Sequence, residues 1–187
     1  MRPLVVLDLN GVLIYRVYNR PNLGSLSLRK ISLNNYSIYL RPHLELFLDT
    51  LFEKYDVAVY TSTSRKNATD ILSILFTPVQ LANLKFTWFR DRTRLDPEYN
   101  TNPKIKDFDT VKMVDDILSC PEINSHRKYS KNNVIMIDDS AQKLRFNAKG
   151  NLIVSCFHPD NFEDVELMSC DDELLKVLER LEELLLK

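Results

Sequence analysis

Short, uninterrupted apolar runs set the rhythm of this chain: Leu4–Leu7, Val57–Tyr60, Val134–Ile137 and Leu152–Val154. Runs of this length, without polar alternation, suit strands buried on both faces of a parallel sheet. Three of them end in polar clusters: Asp8-Leu9-Asn10-Gly11, Thr61-Ser62-Thr63-Ser64 and Asp138-Asp139-Ser140. Between them, apolar residues recur at helical spacing. Leu44, Phe47, Leu48, Leu51 and Phe52 follow Arg41-Pro42-His43, where the proline suits a first helical turn. Ala68, Ile71, Leu72, Leu75 and Phe76 predict a second helix, and Phe108, Val111, Val114, Ile117 and Leu118 a third. A last helix starts near Asp172 and carries Leu174, Leu175, Leu178, Leu181 and Leu185.

Residues 14–40 follow another pattern. Tyr15, Val17 and Tyr18 precede a turn at Asn19-Arg20-Pro21-Asn22 and Gly24; Ile31, Leu33, Tyr36, Ile38 and Tyr39 come after it. This predicts a β-hairpin or small flap, with the tyrosines as cross-strand pairs or as the lining of a peptide groove. Residues 77–103, broken by Pro78, Pro97 and Pro103, read as irregular apart from a short strand at Phe86–Phe89. Residues 120–132 read as a polar surface loop. Strands alternating with helices make the class α/β with a mainly parallel sheet. No repeat or linker divides the sequence, so 1–187 is expected to be one domain.

Composition narrows the picture. The 187 residues are 44% hydrophobic and 27% charged with a net charge of −1, ordinary values for a folded domain. No basic excess points to nucleic acid as a partner. Cys120, Cys156 and Cys170 lack metal-ligand spacing and read as free thiols of a reducing compartment. Leu4–Leu7 is too short for a secretory leader, and no run approaches the ~18 apolar residues of a spanning helix. A soluble monomer of the cytoplasm or nucleus, away from membranes, is expected.

In an open parallel sheet, ligands bind at the carboxyl ends of the strands. Asp8, Thr61 and the Asp138-Asp139 pair would therefore share one site despite their distance in sequence. A carboxylate can attack phosphorus to form an aspartyl-phosphate if a cation offsets the charge repulsion. Mg²⁺ suits that task because it takes hard oxygen ligands. Thr61 and Ser62 would donate to phosphoryl oxygens, and a lysine would offset charge on the transferring group. Singly, each residue is as well explained as a helix cap or turn residue.

The order and wording of these motifs resemble the haloacid dehalogenase superfamily, and more narrowly its FCP/SCP group. That group comprises phosphatases of the RNA polymerase II C-terminal domain and their NLI-interacting-factor relatives. Val5 to Leu13 resembles the first motif, and Leu40-Arg41-Pro42-His43 with Phe47-Leu48 the "RPG…FL" helix start. Val59 to Thr63 resembles the second motif. Phe89-Arg90-Asp91 and Lys106-Asp107-Phe108 resemble the "FRD/FRE" and "KDL" segments, and Ile137 to Ser140 the fourth motif. The resemblance covers about residues 3–186. It implies a Rossmannoid three-layer sandwich with a central parallel sheet and a small β-hairpin flap, without a large cap domain.

The resemblance also implies roles. Asp8 is the nucleophile and a Mg²⁺ ligand, the backbone carbonyl of Asn10 and Asp138 are further ligands, and Asp139 joins the metal set through water or by orienting the site. Thr61, Ser62 and Lys106 hold the phosphoryl group, with Lys104 as a rival lysine, and Arg90 contacts substrate. Arg90, Arg92 and Arg94 together would suit an acidic phosphopeptide, though a solvated face is the plainer reading of the last two. The implied activity is Mg²⁺-dependent dephosphorylation of phosphoserine or phosphothreonine in a protein or peptide.

Asn10 departs from the family's usual Asp, which acts as general acid and then base. An amide has no proton to transfer near neutral pH, and such catalysis is worth roughly 10²–10⁴-fold. Three readings stay open: a slow enzyme, a weakly active or inactive pseudo-phosphatase that binds phosphorylated partners, or an engineered Asp-to-Asn trap. A response-regulator receiver domain also has acidic strand ends, but its acidic pair comes early rather than late.

Overall fold

The run Leu4–Leu7 becomes β1, the middle strand of the central sheet, as burial on both faces demands. The computed structural model describes residues 2–18, 28–33, 35–107, 109–163 and 165–185. The strands are β1 (Leu4–Leu7), β2 (Ile14–Tyr18), β3 (Lys30–Leu33), β4 (Tyr36–Leu40), β5 (Asp56–Tyr60), β6 (Thr87–Trp88), β7 (Arg94–Leu95), β8 (Thr110–Val111), β9 (Val134–Asp138) and β10 (Asn151–Ile153). The helices are α1 (Leu44–Lys54), α2 (Arg65–Leu75), α3 (Pro78–Asn83), α4 (Val114–Ser119), α5 (Pro121–Asn124), α6 (Ala141–Leu144) and α7 (Glu173–Leu185).

The five-stranded sheet has the order β10-β9-β1-β5-β6 and is parallel throughout. Alternation along β1 divides the core into two layers. Val5 and Leu7 point to one side, where Phe47, Leu48 and Leu51 of α1, Ile71 and Leu72 of α2, and Leu174, Val177 and Leu181 of α7 cover them. Leu4 and Val6 point to the other, under Val114 and Ile117 of α4 and Leu144 of α6. This is a three-layer sandwich with a central parallel sheet, as the resemblance implied. No large cap domain occurs among the described residues, and no helix there is long and apolar enough to cross a membrane.

Between β1 and α1, the predicted flap is a three-stranded antiparallel sheet of order β2-β4-β3. Its tyrosines pair across strands: Tyr15 stacks on Tyr39 at 6.1 Å, and Tyr18 meets Tyr36 edge-on at 5.2 Å. Tyr15 and Tyr39 are buried with Phe157 and Met168. The turn expected at residues 19–24 lies outside the described residues.

Several expectations need correction. The segment read as irregular contains α3, whose Thr77 and Gln80 form a reciprocal capping box. Thr77-Pro78-Val79-Gln80 carries the sequence signature of that motif. The polar loop 120–132 contains α5 and buries Tyr129, whose hydroxyl donates to Asp56 (2.8 Å). The helix expected from residue 108 begins only at Val114. Thr110–Val111 is instead a strand paired with Arg94–Leu95, and Phe108 lies outside the described residues. Helical spacing of Val111 with Val114 was satisfied by a strand followed by a helix.

Candidate active site

Three neighbouring strands deliver the site's floor. Leu7 lies opposite Val59 on one side and Ile137 on the other, so the residues that follow emerge side by side at the carboxyl edge. Asp8 comes from β1, Thr61 follows β5, and Asp138 ends β9. Backbone bonds from Asp8 N to Ile137 O (2.9 Å) and from Thr61 N to Trp88 O (2.9 Å) extend the ladder past the strands.

Asp8 is 3% exposed and Asp138 1%, and between them sits Lys112, also 1% exposed. Its Nζ lies 3.1 Å from Asp8 Oδ1 and 2.6 Å from Asp138 Oδ2. A second ammonium, that of Lys143, lies 3.6 Å from Asp8 Oδ2 and 3.8 Å from Asp138 Oδ1. Lys112 belongs to no regular element and is placed by what holds its backbone. Its N–H donates to Lys143 O (2.9 Å), and its carbonyl accepts from Asn147 Nδ2 (2.9 Å). Asn147 Oδ1 in turn accepts from Val114 N (2.8 Å). The chain before Lys112 makes a loop closed at its base by Asp96 N to Asp109 O (2.9 Å). Arg145 fixes that base by bonding both Asp96 oxygens, at 2.7 and 2.6 Å.

The carboxylates have unlike environments. Burial pushes the Asp8 carboxyl up, but Lys112, Lys143 and bonds from the Thr61 hydroxyl and the Leu9 N–H outweigh it, so Asp8 titrates below the ordinary range. Burial raises Asp138 to about 6; the charge of Asp8 adds to this and Lys112 opposes it. Asp8 is therefore the more firmly ionised of the two. Burial lowers Lys143, yet the charges of Asp8, Asp138 and Asp139 raise it further, which keeps the ammonium protonated.

The loop after Asp8 is held tightly. Gly11 has φ +85°, and a Cβ there would stand 2.1 Å from Asp139 Oδ2, so only glycine fits. Arg41, fully buried, donates to Gly11 O (3.3 Å) and Val12 O (3.1 Å) and pairs with buried Asp171 at 2.9 Å. Asn10 Oδ1 accepts from Arg16 N (2.9 Å). A backbone donor fixes which way the amide points, leaving Nδ2 as a donor.

These residues frame a cleft of about 370 Å³. Asp8, Asn10, residues 61–64, Asn67, Asp139 and Lys143 line it together with Arg16 and Arg90, without a single aliphatic or aromatic side chain. Three buried side-chain polar atoms among the described residues lack a hydrogen-bond partner, and two of them, Asp8 Oδ1 and Ser62 Oγ, belong here. Lys112 meets Asp8 Oδ1 as an ion pair only. Oxygens of Asp8, Asp138 and Asp139 lie within 4.8 Å of one another. An all-carboxylate donor set with one buried oxygen free of hydrogen bonds fits a hard divalent cation.

Of the residues expected from sequence, the structure brings Asp8, Asn10, Thr61, Ser62, Asp138, Asp139 and Arg90 together. Arg90 arrives on a short 3₁₀ turn, residues Arg90–Arg92, with its N–H on Thr63 O (3.1 Å). Lys106 and its rival Lys104 are exposed and do not line the cleft. Lys112 stands where a lysine was expected, hidden in the sequence by the helical spacing around it. Arg16 and Lys143 were also missed. Lys143 had a readable signal: it lies three residues after Ser140, the N-cap of α6, and so just beyond the fourth motif.

Sheet order, flap and acidic cleft together define a member of the haloacid dehalogenase superfamily. Residues 3–185 match the model of the NLI interacting factor-like phosphatases, and the chain belongs to that family. It is 29% identical over 184 residues to an uncharacterized FCP1 homology domain-containing protein of Schizosaccharomyces pombe, covering 95% of this chain and 71% of that protein. It is 26% identical over 141 residues to ubiquitin-like domain-containing CTD phosphatase 1 of Drosophila melanogaster, covering 74% of this chain and 41% of that protein. Among solved structures, the fission yeast RNA polymerase II CTD phosphatase Fcp1, as an arginine-to-alanine variant bound to beryllium fluoride, shares the fold with a TM-score of 0.58 at 18% identity. A second Fcp1 structure gives 0.59 at 19%. Each covers 99% of this chain, which spans only 51% and 49% of those two chains.

Proposed function

We propose that this chain is a Mg²⁺-dependent phosphatase that hydrolyses phosphoserine or phosphothreonine in a protein through an aspartyl-phosphate on Asp8. The observation that carries this reading is an ionised, buried carboxylate sharing one polar cleft with an unpartnered hydroxyl. The ionised Asp8 presents Oδ1 without a hydrogen bond, and the buried Ser62 hydroxyl lacks a partner beside it. An unsatisfied buried hydroxyl costs about 1–3 kcal/mol, a cost that a phosphoryl oxygen accepting from Ser62 would remove, while Asp8 Oδ1 has its lone pairs free for a cation or for attack on phosphorus. Membership in a phosphatase family supports the same chemistry.

In this reading, a carboxylate oxygen of Asp8 attacks phosphorus and the ester oxygen leaves; water then cleaves the acyl phosphate. Ser62 donates to a phosphoryl oxygen, Thr61 does the same once its hydroxyl turns from Asp8, and Lys112 and Lys143 offset the phosphoryl charge. Asp8, Asp138 and Asp139 would hold Mg²⁺, which when bound offsets the repulsion between carboxylate and phosphate. The polar lining favours phosphoserine or phosphothreonine, because a phosphotyrosine ring would find no apolar wall.

Asn10 supports a second reading, a slow or inactive module that binds phosphorylated partners. Its oxygen is committed to Arg16 N, and its Nδ2 can donate a hydrogen bond but not a proton. Hydrolysis of p-nitrophenyl phosphate and of a phosphoserine peptide, with Mg²⁺ titrated, separates the two. The chain, Asn10→Asp and Asp8→Asn are compared. Turnover by the chain that is lost in Asp8→Asn supports the enzyme. Turnover by Asn10→Asp alone supports the binding module. Loss in neither Asp8→Asn nor Mg²⁺-free buffer removes Asp8 from its role.

A further inference from the structure

Arg16 was not anticipated from the sequence, and its surroundings are unusual for an arginine beside an acidic site. Lys112 and Lys143 face Asp8 and Asp138, and Arg65 pairs with Asp91. Arg16 has no carboxylate within salt-bridge distance among the described residues. Its guanidinium instead lies over the Tyr36 ring, 4.8 Å from the centroid. Stacking occupies the flat face of a guanidinium and leaves its in-plane N–H donors open to an anion. The side chain lines the same cleft as Asp8 and Thr61.

Its backbone is fixed as well. Arg16 N donates to Asn10 Oδ1, and Arg16 sits opposite Ile38 in the β2–β4 ladder, on the face that carries Tyr18 and Tyr36. That face is buried at Ile14 and Ile38 and opens toward solvent at Arg16, Tyr36 and the exposed Tyr18. The flap thus carries a preorganised guanidinium from the cleft out along a short aromatic row.

We propose that Arg16 reads a second anionic group beside the phosphorylated residue, so that preferred substrates carry a carboxylate or another phosphate within a few residues of it. This rests on the phosphopeptide reading of the site. A stacked guanidinium presents a fork of donors that matches either anion bidentately.

The test uses phosphoserine peptides with neutral flanks, with Glu two residues to either side, with a second phosphoserine at those positions, and with Lys there. kcat/KM is measured for the chain and for Arg16→Gln, with Kd by fluorescence anisotropy in parallel. The chain is expected to favour an anionic flank over the neutral one by about 10-fold and to disfavour Lys, and the ratio is expected to fall to near one in Arg16→Gln. Whether Glu or phosphoserine gives the larger ratio identifies the source of the anion. A ratio near one in the unaltered chain, which needs no variant to fold, overturns the proposal. So does a preference that survives in Arg16→Gln. If no phosphoester is hydrolysed, the phosphatase reading falls while the ratio of Kd values still decides the role of Arg16.

Discussion

Removing Arg41 while leaving Asp171 should be among the most damaging single changes outside the reacting groups. In Arg41→Met, Asp171 stays buried without its cation, keeping only the bond from Glu173 N (2.7 Å) to its other oxygen. Val12 O loses its donor, whereas Gly11 O keeps Phe157 N–H at 2.7 Å. Methionine fills much of the space against Phe157, so the loss is electrostatic rather than a cavity. Breaking one side of a buried pair costs about 3–5 kcal/mol, and about 4 kcal/mol is expected here. Urea unfolding followed by circular dichroism measures it as a lower midpoint at unchanged slope. The double variant Arg41→Met/Asp171→Leu removes both charges and should recover all but about 1 kcal/mol. A loss below about 1 kcal/mol in the single variant, or a double variant no better than the single, would refute the pairing as a major contributor.

Three further outcomes are expected. Lys112→Ala should lower turnover at least ~10²-fold while Lys106→Ala stays within about twofold, measured as kcat on p-nitrophenyl phosphate; the reverse pattern would restore the lysine first read from sequence. His43, the N-cap of α1, has φ 64° without a side-chain cap bond. The left-handed conformation costs a non-glycine residue about 1–2 kcal/mol, partly offset by glycine's greater unfolded-state freedom, so His43→Gly should gain about 0.5–1 kcal/mol and about 2 °C in Tm. Arg145 holds the Asp96 carboxyl below its ordinary 3.8, which means the folded state binds that proton less tightly than the unfolded chain. That contribution is present above about pH 4 and lost as pH falls further, so the urea midpoint of Arg145→Met should fall less between pH 5 and 3 than that of the unaltered chain.

How much of this was readable depended on where the physical constraint lies. β1, β5 and β9 are buried on both faces, so local composition alone marks them, and parallel topology then requires Asp8, Thr61 and Asp138 to meet. The flap was legible for a similar reason: alternating aromatics signal a pleated surface. β7 and β8 have only two residues each, and each exists because the other does. No local window carries that information, and the helical spacing of Val111, Val114 and Ile117 misdirected the reading. Lys112 vanished with it, because a lysine inside a helix reads as solvated. α3 was a different kind of miss, since its capping box was present in the letters and was outweighed by Pro78. Arg16 lay in a segment correctly read as a flap, but its direction toward the cleft is set by Tyr36 and Asn10 together.

The closed loop between Asp96 and Asp109 has a consequence for how this chain can change over time. Both ends of the excursion are stapled, and Lys112 beyond it is seated by bonds of its backbone with Lys143 and Asn147. Insertions or deletions in the exposed part of the excursion, away from Glu98 and the buried Ile105, alter mainly loop closure, about 0.6 kcal/mol per doubling of length. The ammonium keeps its place in space while its number along the chain drifts. Two descendants of one ancestor could then hold the same lysine at quite different offsets from their arginine-rich turn, and a search by spacing would miss in one what it finds in the other.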